Sequence, residues 1–175
     1  RYLIKSPPQI KRINMKLIRI LTLMAVLIIS SCGLFKSAED LFSKAEQKRN
    51  MGEAKAALEL LQTIVDKHPE HEIAPDAQYL IAEIYYRDMR DFTTAIKQYG
   101  DLRIKFSESK QVPFSLFMQG FIYANMLTDF EKAKEYYSEF LDKYPNHELN
   151  QSVGFELKYL GRDIKEIPEL KHLTQ

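Results

Sequence analysis

Histidines and carboxylates cluster at two places in this 175-residue chain, and these are residues whose types and spacing could do chemistry. His68, His71 and Glu72 fall within five positions, and His147 and Glu148 repeat the pairing downstream. Imidazole and carboxylate ligands suit zinc, but a zinc site needs three or four of them to converge. His71 and His147 lie two repeat lengths apart in a pattern of period 38, so they are equivalent positions of a repeat. Equivalent positions of a repeat array line up along one edge and do not meet. No bound metal is therefore expected. No serine, cysteine or carboxylate pair has nucleophile–base or acid–base spacing, and no glycine-rich phosphate loop occurs. The expectation is a non-enzymatic chain without a cofactor.

The remaining reactive group is Cys32, the only cysteine, which excludes an internal disulfide. It ends the stretch MKLIRILTLMAVLIISSC, which begins at Met15. Lys16 and Arg19 give a positive start, residues 20–29 are apolar apart from Thr22, and Ser30 and Ser31 are small. That order is the layout of an export signal, and its apolar segment is too short to span a bilayer comfortably as a helix. Ile29-Ser30-Ser31-Cys32 resembles the bacterial lipobox. The resemblance implies cleavage before Cys32, diacylation of its sulfur and acylation of the new amino terminus. More than one acyl chain is what stable anchoring requires. An ordinary buried thiol, or an uncleaved anchor over 17–29, accounts for fewer of these features together. Gly33 is not an aspartate-type retention signal, so anchoring in the outer membrane is expected, with the periplasmic face favoured over the cell surface.

The net charge of +1 hides an asymmetry. Six of the 25 basic residues (Arg1, Lys5, Lys11, Arg12, Lys16, Arg19) precede Cys32 with no acid among them, which leaves 19 against all 24 acidic residues, a net −5. A mildly acidic domain with interspersed signs offers no basic stripe to a phosphate backbone, so nucleic acid is not expected as a partner. Residues 1–14 read as an extension upstream of Met15, 15–31 as the signal, 32–36 as a tether, 37–161 as the folded domain and 162–175 as a capping tail.

The elements that must position any site follow from the period. Ala57, Ala95 and Ala133 are spaced by 38, as are Leu61, Tyr99 and Tyr137, Ala54, Phe92 and Phe130, and His68, Phe106 and Tyr144. Tyr85 matches Tyr123, and Ala82 matches Gly120. A fixed period of this size marks a solenoid whose units bury their apolar faces by stacking. A capping box at Ser37 and Asp40 predicts a helix to about Asn50, and Asn50-Met51-Gly52 breaks it. The stripe Ala54, Ala57, Leu58, Leu61, Ile64, Val65 predicts a second helix, stopped by Pro69. Pro75 opens a third to about Arg87, Asp91 caps a fourth from Phe92 to about Phe106, and Pro113 restarts a fifth to about Met126. Asp129 caps the sixth, which Pro145 stops, and a seventh runs over about 148–160 with Gly161 as its C-terminal cap. Ile164, Ile167, Leu170 and Leu173 step by three through the tail. No segment alternates as a strand does. The fold class is all-α: three antiparallel helix pairs plus a capping helix.

These residues resemble tetratricopeptide repeats over about 37–161. The family's small residue and tyrosine three apart occur as Ala82/Tyr85 and Gly120/Tyr123, and its aromatic before the second helix as Phe92 and Phe130. The second-helix small residue is Ala57, Ala95 or Ala133. The closing proline is Pro69 or Pro145, with Ser107 in its place in the middle repeat. Lys44 and Gln47 occupy the small and tyrosine positions of the first repeat. The unit is 38 residues against the family's 34, with one extra residue placed in the inner turn. The runs around Pro69 and Pro145 are similar to envelope lipoproteins of the family, among them those of outer-membrane β-barrel assembly. The resemblance implies that the first helix of each pair lines a concave groove. It places Tyr79, Glu83, Tyr86 and Arg87 there, with Phe117, Phe121 and Asn125 from the third repeat. Phe155 and Tyr159 join from the closing helix, and Lys48 and Arg49 from the first repeat. Such a groove takes an extended or helical segment of another envelope protein. A homo-oligomer built by stacking repeat ends is the alternative.

Overall fold

The computed structural model describes residues 37–168. The stretch 1–31, Cys32 with the tether over 32–36, and the tail residues Leu170 and Leu173 lie outside the described residues. Among the described residues there are seven α-helices and no strand. They are α1 (Ala38–Asn50), α2 (Ala54–Lys67), α3 (Ala74–Glu83), α4 (Phe92–Lys105), α5 (Gln111–Asn125), α6 (Phe130–Lys143) and α7 (Asn150–Lys158). A π-helical turn, Ile84–Asp88, extends α3, and a 3-10 turn, Ile164–Glu166, follows α7. Each helix packs on the next in sequence and α3 also touches α5, which is the all-α stack of three helix pairs and a closing helix. None of the described helices is long and apolar enough to cross a membrane.

Three rows of residues carry the stacking. Ala57, Ala95 and Ala133 are 0% exposed, and so are Leu61, Tyr99 and Tyr137, and Ile64, Leu102 and Phe140. Each row steps by one period, and on each second helix the three residues fall at i, i+4 and i+7, one buried face. The alanines let neighbouring helices approach, and the larger side chains fill the space between them.

The helix ends follow local chemistry. Asp91 Oδ1 accepts the Thr94 backbone N–H at 3.0 Å, and Asp129 Oδ1 accepts that of Lys132 at 3.1 Å. Those backbone donors hold both carboxyls below the ordinary aspartate value. α3 and α5 begin ahead of Pro75 and Pro113, which leaves each proline in a first turn that has no use for its missing N–H. α7 is shorter than the expected 148–160. The preceding turn, closed by the Asn150 N–H on the His147 carbonyl at 2.9 Å, consumes its first residues.

The loops between pairs are copies of one another. The His71 Nδ1, Ser109 Oγ and His147 Nδ1 atoms accept backbone N–H groups two residues on, from Ile73 (3.3 Å), Gln111 (3.2 Å) and Leu149 (3.1 Å). These three residues are one period apart, and each satisfies a donor that the next helix start leaves open. Histidine serves here as a side-chain cap.

The inner turns differ between repeats, and the difference corrects the first-repeat register. In repeats two and three the first helix ends on i to i−5 bonds, Met89 N–H to Ile84 and Leu127 N–H to Ile122 (3.0 and 3.1 Å). The Asp91 and Asp129 N–H groups then reach back six residues to Tyr85 and Tyr123. The equivalent bond of repeat one, Glu53 N–H to Lys48, is one residue shorter. The small residue of α1 is therefore Ala45, 0% exposed, while Lys44 is exposed. Twelve residues separate Ala45 from Ala57, against thirteen for Ala82–Ala95 and Gly120–Ala133. The extra inner-turn residue is thus held as a π-type turn, and only in the later repeats.

Each inner turn passes through the left-handed region, at Gly52 (φ 78), Arg90 (φ 54) and Thr128 (φ 53). Only the first uses the residue suited to it, and a β-branched side chain is the least suited. Thr128→Gly is expected to raise stability by about 1 kcal/mol, since a non-glycine residue pays about 1–2 kcal/mol there. Urea unfolding with an unchanged m-value reads the gain.

Successive pairs are also tied by side chains. Arg49 Nε meets Asp88 Oδ2 at 2.7 Å, joining pairs one and two. Gln111 Nε2 donates to Asp76 Oδ1 at 2.6 Å, and Arg103 pairs with Glu139, both joining pairs two and three.

Candidate functional site

The residues expected in the groove lie on first helices, on the π-helical turn that extends α3, and on α7 and its C-terminal end. On α3, Tyr79 packs edge-on to the buried Tyr99 ring, centroids 5.5 Å apart. The Tyr99 hydroxyl donates to Glu83 Oε1 at 3.3 Å, and Arg87 approaches Glu83 Oε2 at 3.5 Å. Burial, reinforced by the charge of Glu83, pushes the Tyr79 hydroxyl up to about 12 and raises that of Tyr99 as well. Glu83 is thus the acceptor that makes a buried tyrosine affordable in this repeat. Tyr86 tilts against Phe92 at 6.1 Å, and Arg90 lies over the Phe92 ring at 5.7 Å. Tyr86, Arg87, Arg90, Phe92 and Met126 line a cavity of about 280 Å³.

On α5, Phe117 stacks on Tyr137 (6.2 Å) and meets Phe121 (5.8 Å), and Asn125 Nδ2 donates to the Phe121 carbonyl at 3.1 Å. Phe155 and Tyr159 of α7 and its C-terminal end are in ring contact at 4.8 Å, with Lys158 and Arg162 over the Tyr159 ring. Asn125, Phe155 and Tyr159 share a cavity of about 690 Å³. Five of the expected residues thus line two cavities, Tyr86 and Arg87 one and Asn125, Phe155 and Tyr159 the other, while Tyr79, Glu83, Phe117 and Phe121 line neither. Lys48 and Arg49 line neither: Lys48 pairs with Glu53 at 2.6 Å, and Arg49 is spent on Asp88. Tyr159 is 8% exposed, so it presents an edge to its cavity and no broad face.

Three features escaped the sequence. A polar relay crosses α4, α5 and α6: the buried Gln119 donates from Nε2 to the Ile96 carbonyl at 3.0 Å. Its Oε1 accepts from Arg103 at 2.8 Å, and Arg103 continues to Glu139. A cavity of about 790 Å³ opens between the first two inter-repeat loops, where His71 Nε2 meets Glu39 Oε1 at 3.0 Å. Among the described residues no three His, Cys, Asp or Glu side chains form a metal-binding group. The third feature is Tyr137, which occupies the Tyr99 position and buries a hydroxyl with no hydrogen-bond partner among the described residues. Phe121 stands one period after Glu83, so the acceptor that serves Tyr99 is missing.

That contrast makes an expected result. Tyr137→Phe removes an unpaired buried hydroxyl and should be neutral or stabilising, by up to about 1–3 kcal/mol. Tyr99→Phe removes a hydroxyl donating to a carboxylate and should cost about 1.5–3 kcal/mol. Thermal unfolding of both variants, followed by circular dichroism, gives opposite signs.

The family whose members are described as outer membrane lipoproteins, YfiO, matches residues 35–164. Comparison with curated proteins finds no match. The matched span holds all seven helices and begins three residues after Cys32. By that match over most of its length, and by a tetratricopeptide-type stack of helix pairs, the chain belongs to the YfiO family of outer membrane lipoproteins.

Proposed function

We propose that the chain is a lipid-anchored, non-enzymatic scaffold that docks a segment of another envelope protein along the face formed by α3, α5 and α7. The observation that supports it best is the cavity where Tyr86 and Phe92 meet Arg87 and Arg90. Half-buried rings beside exposed cations offer large contact area at low entropy cost, which suits an extended or helical peptide. In this reading Cys32 carries the acyl chains and holds the domain at the outer membrane on its periplasmic side. The role is that of an accessory subunit in outer-membrane or envelope assembly.

A photo-crosslinking residue placed at Tyr86 or Phe121 in cells tests the docking face, with Ile104, 82% exposed on α4, as the control. The expected result is a discrete adduct with another envelope protein from the first two positions only. Equal capture at Ile104, or none at all, ends the reading, and an adduct of two copies of this chain favours stacked repeat ends. Cys32→Ala is expected to abolish fatty-acid labelling and to leave uncleaved precursor; labelling that persists removes the anchor from the scheme.

A further inference from the structure

We propose that the inner-turn edge of the stack docks an amphipathic helix of another protein. Apolar residues seven apart in that helix rest on Met51, Met89 and Leu127, and its acidic residues meet Arg90 and Arg87. Five large apolar side chains are exposed among the described residues, and three of them, Met51 (61%), Met89 (39%) and Leu127 (39%), are one period apart. A fourth, Phe130, follows Leu127 by three residues at the same edge. The equivalence is structural as well as numerical. Each of the three directly precedes the left-handed residue of its turn, Gly52, Arg90 or Thr128. Each also donates its N–H back into the end of its first helix, to the Gln47, Ile84 or Ile122 carbonyl at 3.1, 3.0 and 3.1 Å. Equivalent positions of a repeat array line up along one edge, so the three side chains form an apolar row. An exposed apolar surface of that kind is one that a partner covers.

The spacing selects a helix as the occupant. α3 and α5, whose ends carry Met89 and Leu127, pack on each other, and packed helices lie about 8–10 Å apart. The Arg49–Asp88 pair draws the ends of α1 and α3 together in the same way. Seven residues of an α-helix rise about 10.5 Å and return to nearly the same face, so a heptad pattern keeps step with the row. An extended segment covers that distance in about three residues, and its side-chain period of two then turns alternate contacts away.

Charge selects an acidic partner. Lys48 pairs with Glu53, Arg49 with Asp88 and Lys132 with Asp129 (2.6, 2.7 and 3.2 Å), so both ends of the row are neutralised within the fold. In the middle, Arg90 lies over the Phe92 ring and has no carboxylate partner among the described residues. Arg87 is 3.5 Å from Glu83, which already serves the Tyr99 hydroxyl. Arg90 follows Met89 directly, and both guanidiniums line the cavity that ends at Met126, beside Leu127. A guanidinium fork is matched by a carboxylate. A bilayer fits this edge less well. The chain enters the fold at Ala38, at the other end of α1 and about 20 Å from Met51, and the proposed anchor at Cys32 precedes that entry.

A photo-crosslinking residue placed at Met51, Met89 or Leu127 of the full chain in cells, with the crosslinked peptides sequenced, tests the proposal. The expected result is one partner protein captured at three sites about seven residues apart, in order along a segment that carries Asp or Glu between them. Arg90→Glu should lower the adduct at Met89 about tenfold or more, and Arg90→Lys should retain most of it. Capture sites about three residues apart overturn the inference, because they mark an extended segment. So do adducts to lipid, to a second copy of this chain or to unrelated proteins at the three positions, and so does the lack of any adduct or one indifferent to Arg90→Glu. The row adjoins the docking face but is tested apart from it. Capture at Tyr86 with none along the row sinks this inference alone, and capture along the row with none at Tyr86 sinks the docking reading alone.

Discussion

Phe140→Ala is expected to cost about 3–5 kcal/mol, the range for deleting a fully buried aromatic ring. Phe140 is 0% exposed and lies in the core shared by α5, α6 and α7 with Leu116, Tyr137 and Val153. The rings of Tyr144 and His147 both sit 5.5 Å from it, the second edge-on at 89°. The cavity left behind would be walled by rings from short loops and by a closing helix of nine residues, none of which can collapse far. Set against the total of about 5–15 kcal/mol usual for a domain, the loss is about a fifth or more. Because each unit of a solenoid leans mainly on its neighbours, the damage should be local in space as well as large. Denaturant unfolding reads the magnitude, and amide exchange should lose protection in α6 and α7 while α1–α3 keep theirs. Ile104→Ala, at an exposed position of α4, should stay within about 0.5 kcal/mol of the unaltered chain.

Gly120→Ala should also destabilise, by about 1–3 kcal/mol, although the same exchange in an unencumbered helix gains about 1 kcal/mol. A Cβ at Gly120 would stand 2.8 Å from both Cδ1 and Cε1 of Tyr137 and 3.2 Å from Cβ of Tyr136. Neither neighbour can give way: Tyr137 is fully buried with Phe117 stacked on it, and the Tyr136 atom is rooted at the backbone. The clash is with one ring, so a second change isolates it. In Tyr137→Leu the added methyl should cost far less, and the double-mutant cycle should return a favourable coupling of about 1–3 kcal/mol. Additive effects in that cycle would place the cost in the helix backbone instead. Ala82, one period earlier, already carries a methyl in the buried core beside Tyr99, so the small-residue row is graded to its neighbours rather than uniform.

Much of the fold was legible from residue types alone. Two of the rows that the 38-residue spacing marks, Ala57/Ala95/Ala133 and Leu61/Tyr99/Tyr137, are fully buried, whereas Phe130 of a third is 41% exposed; Asp91 and Asp129 cap the helices they precede. Legibility failed where an assumption of constant period met a backbone that is not constant. Counting by 38 puts Lys44 at the small position, whereas Ala45 is the buried residue. A π-type turn is a matter of which carbonyl a given N–H selects, and neither Ile84 nor Ile122 announces that choice. The symmetry of the repeat sets His71 and His147 on one edge, apart from each other. The same symmetry, with Ser109 between them, held the clue to their capping role. Which of the expected groove residues reach a cavity depends on which side chains are already engaged. Arg49, committed to Asp88, could not be told from a free cation by its spacing.

The ties between successive pairs lead to one more consequence. Arg49–Asp88 and Arg103–Glu139 are charge pairs of partly exposed groups, and charges so placed weaken as salt rises. The apolar rows inside each pair are indifferent to salt or slightly strengthened by excluded ions. Ionic strength therefore acts on these ties between pairs. Apolar clusters also cross the seams between pairs, Leu41 with Ile81 and Tyr99 with Ile122, so raised salt is expected to loosen the coupling of the pairs by no more than about 1 kcal/mol per charge pair, read as a slightly broader thermal transition. The environment thus trims the coupling between pairs, while the apolar clusters that cross the seams keep them joined.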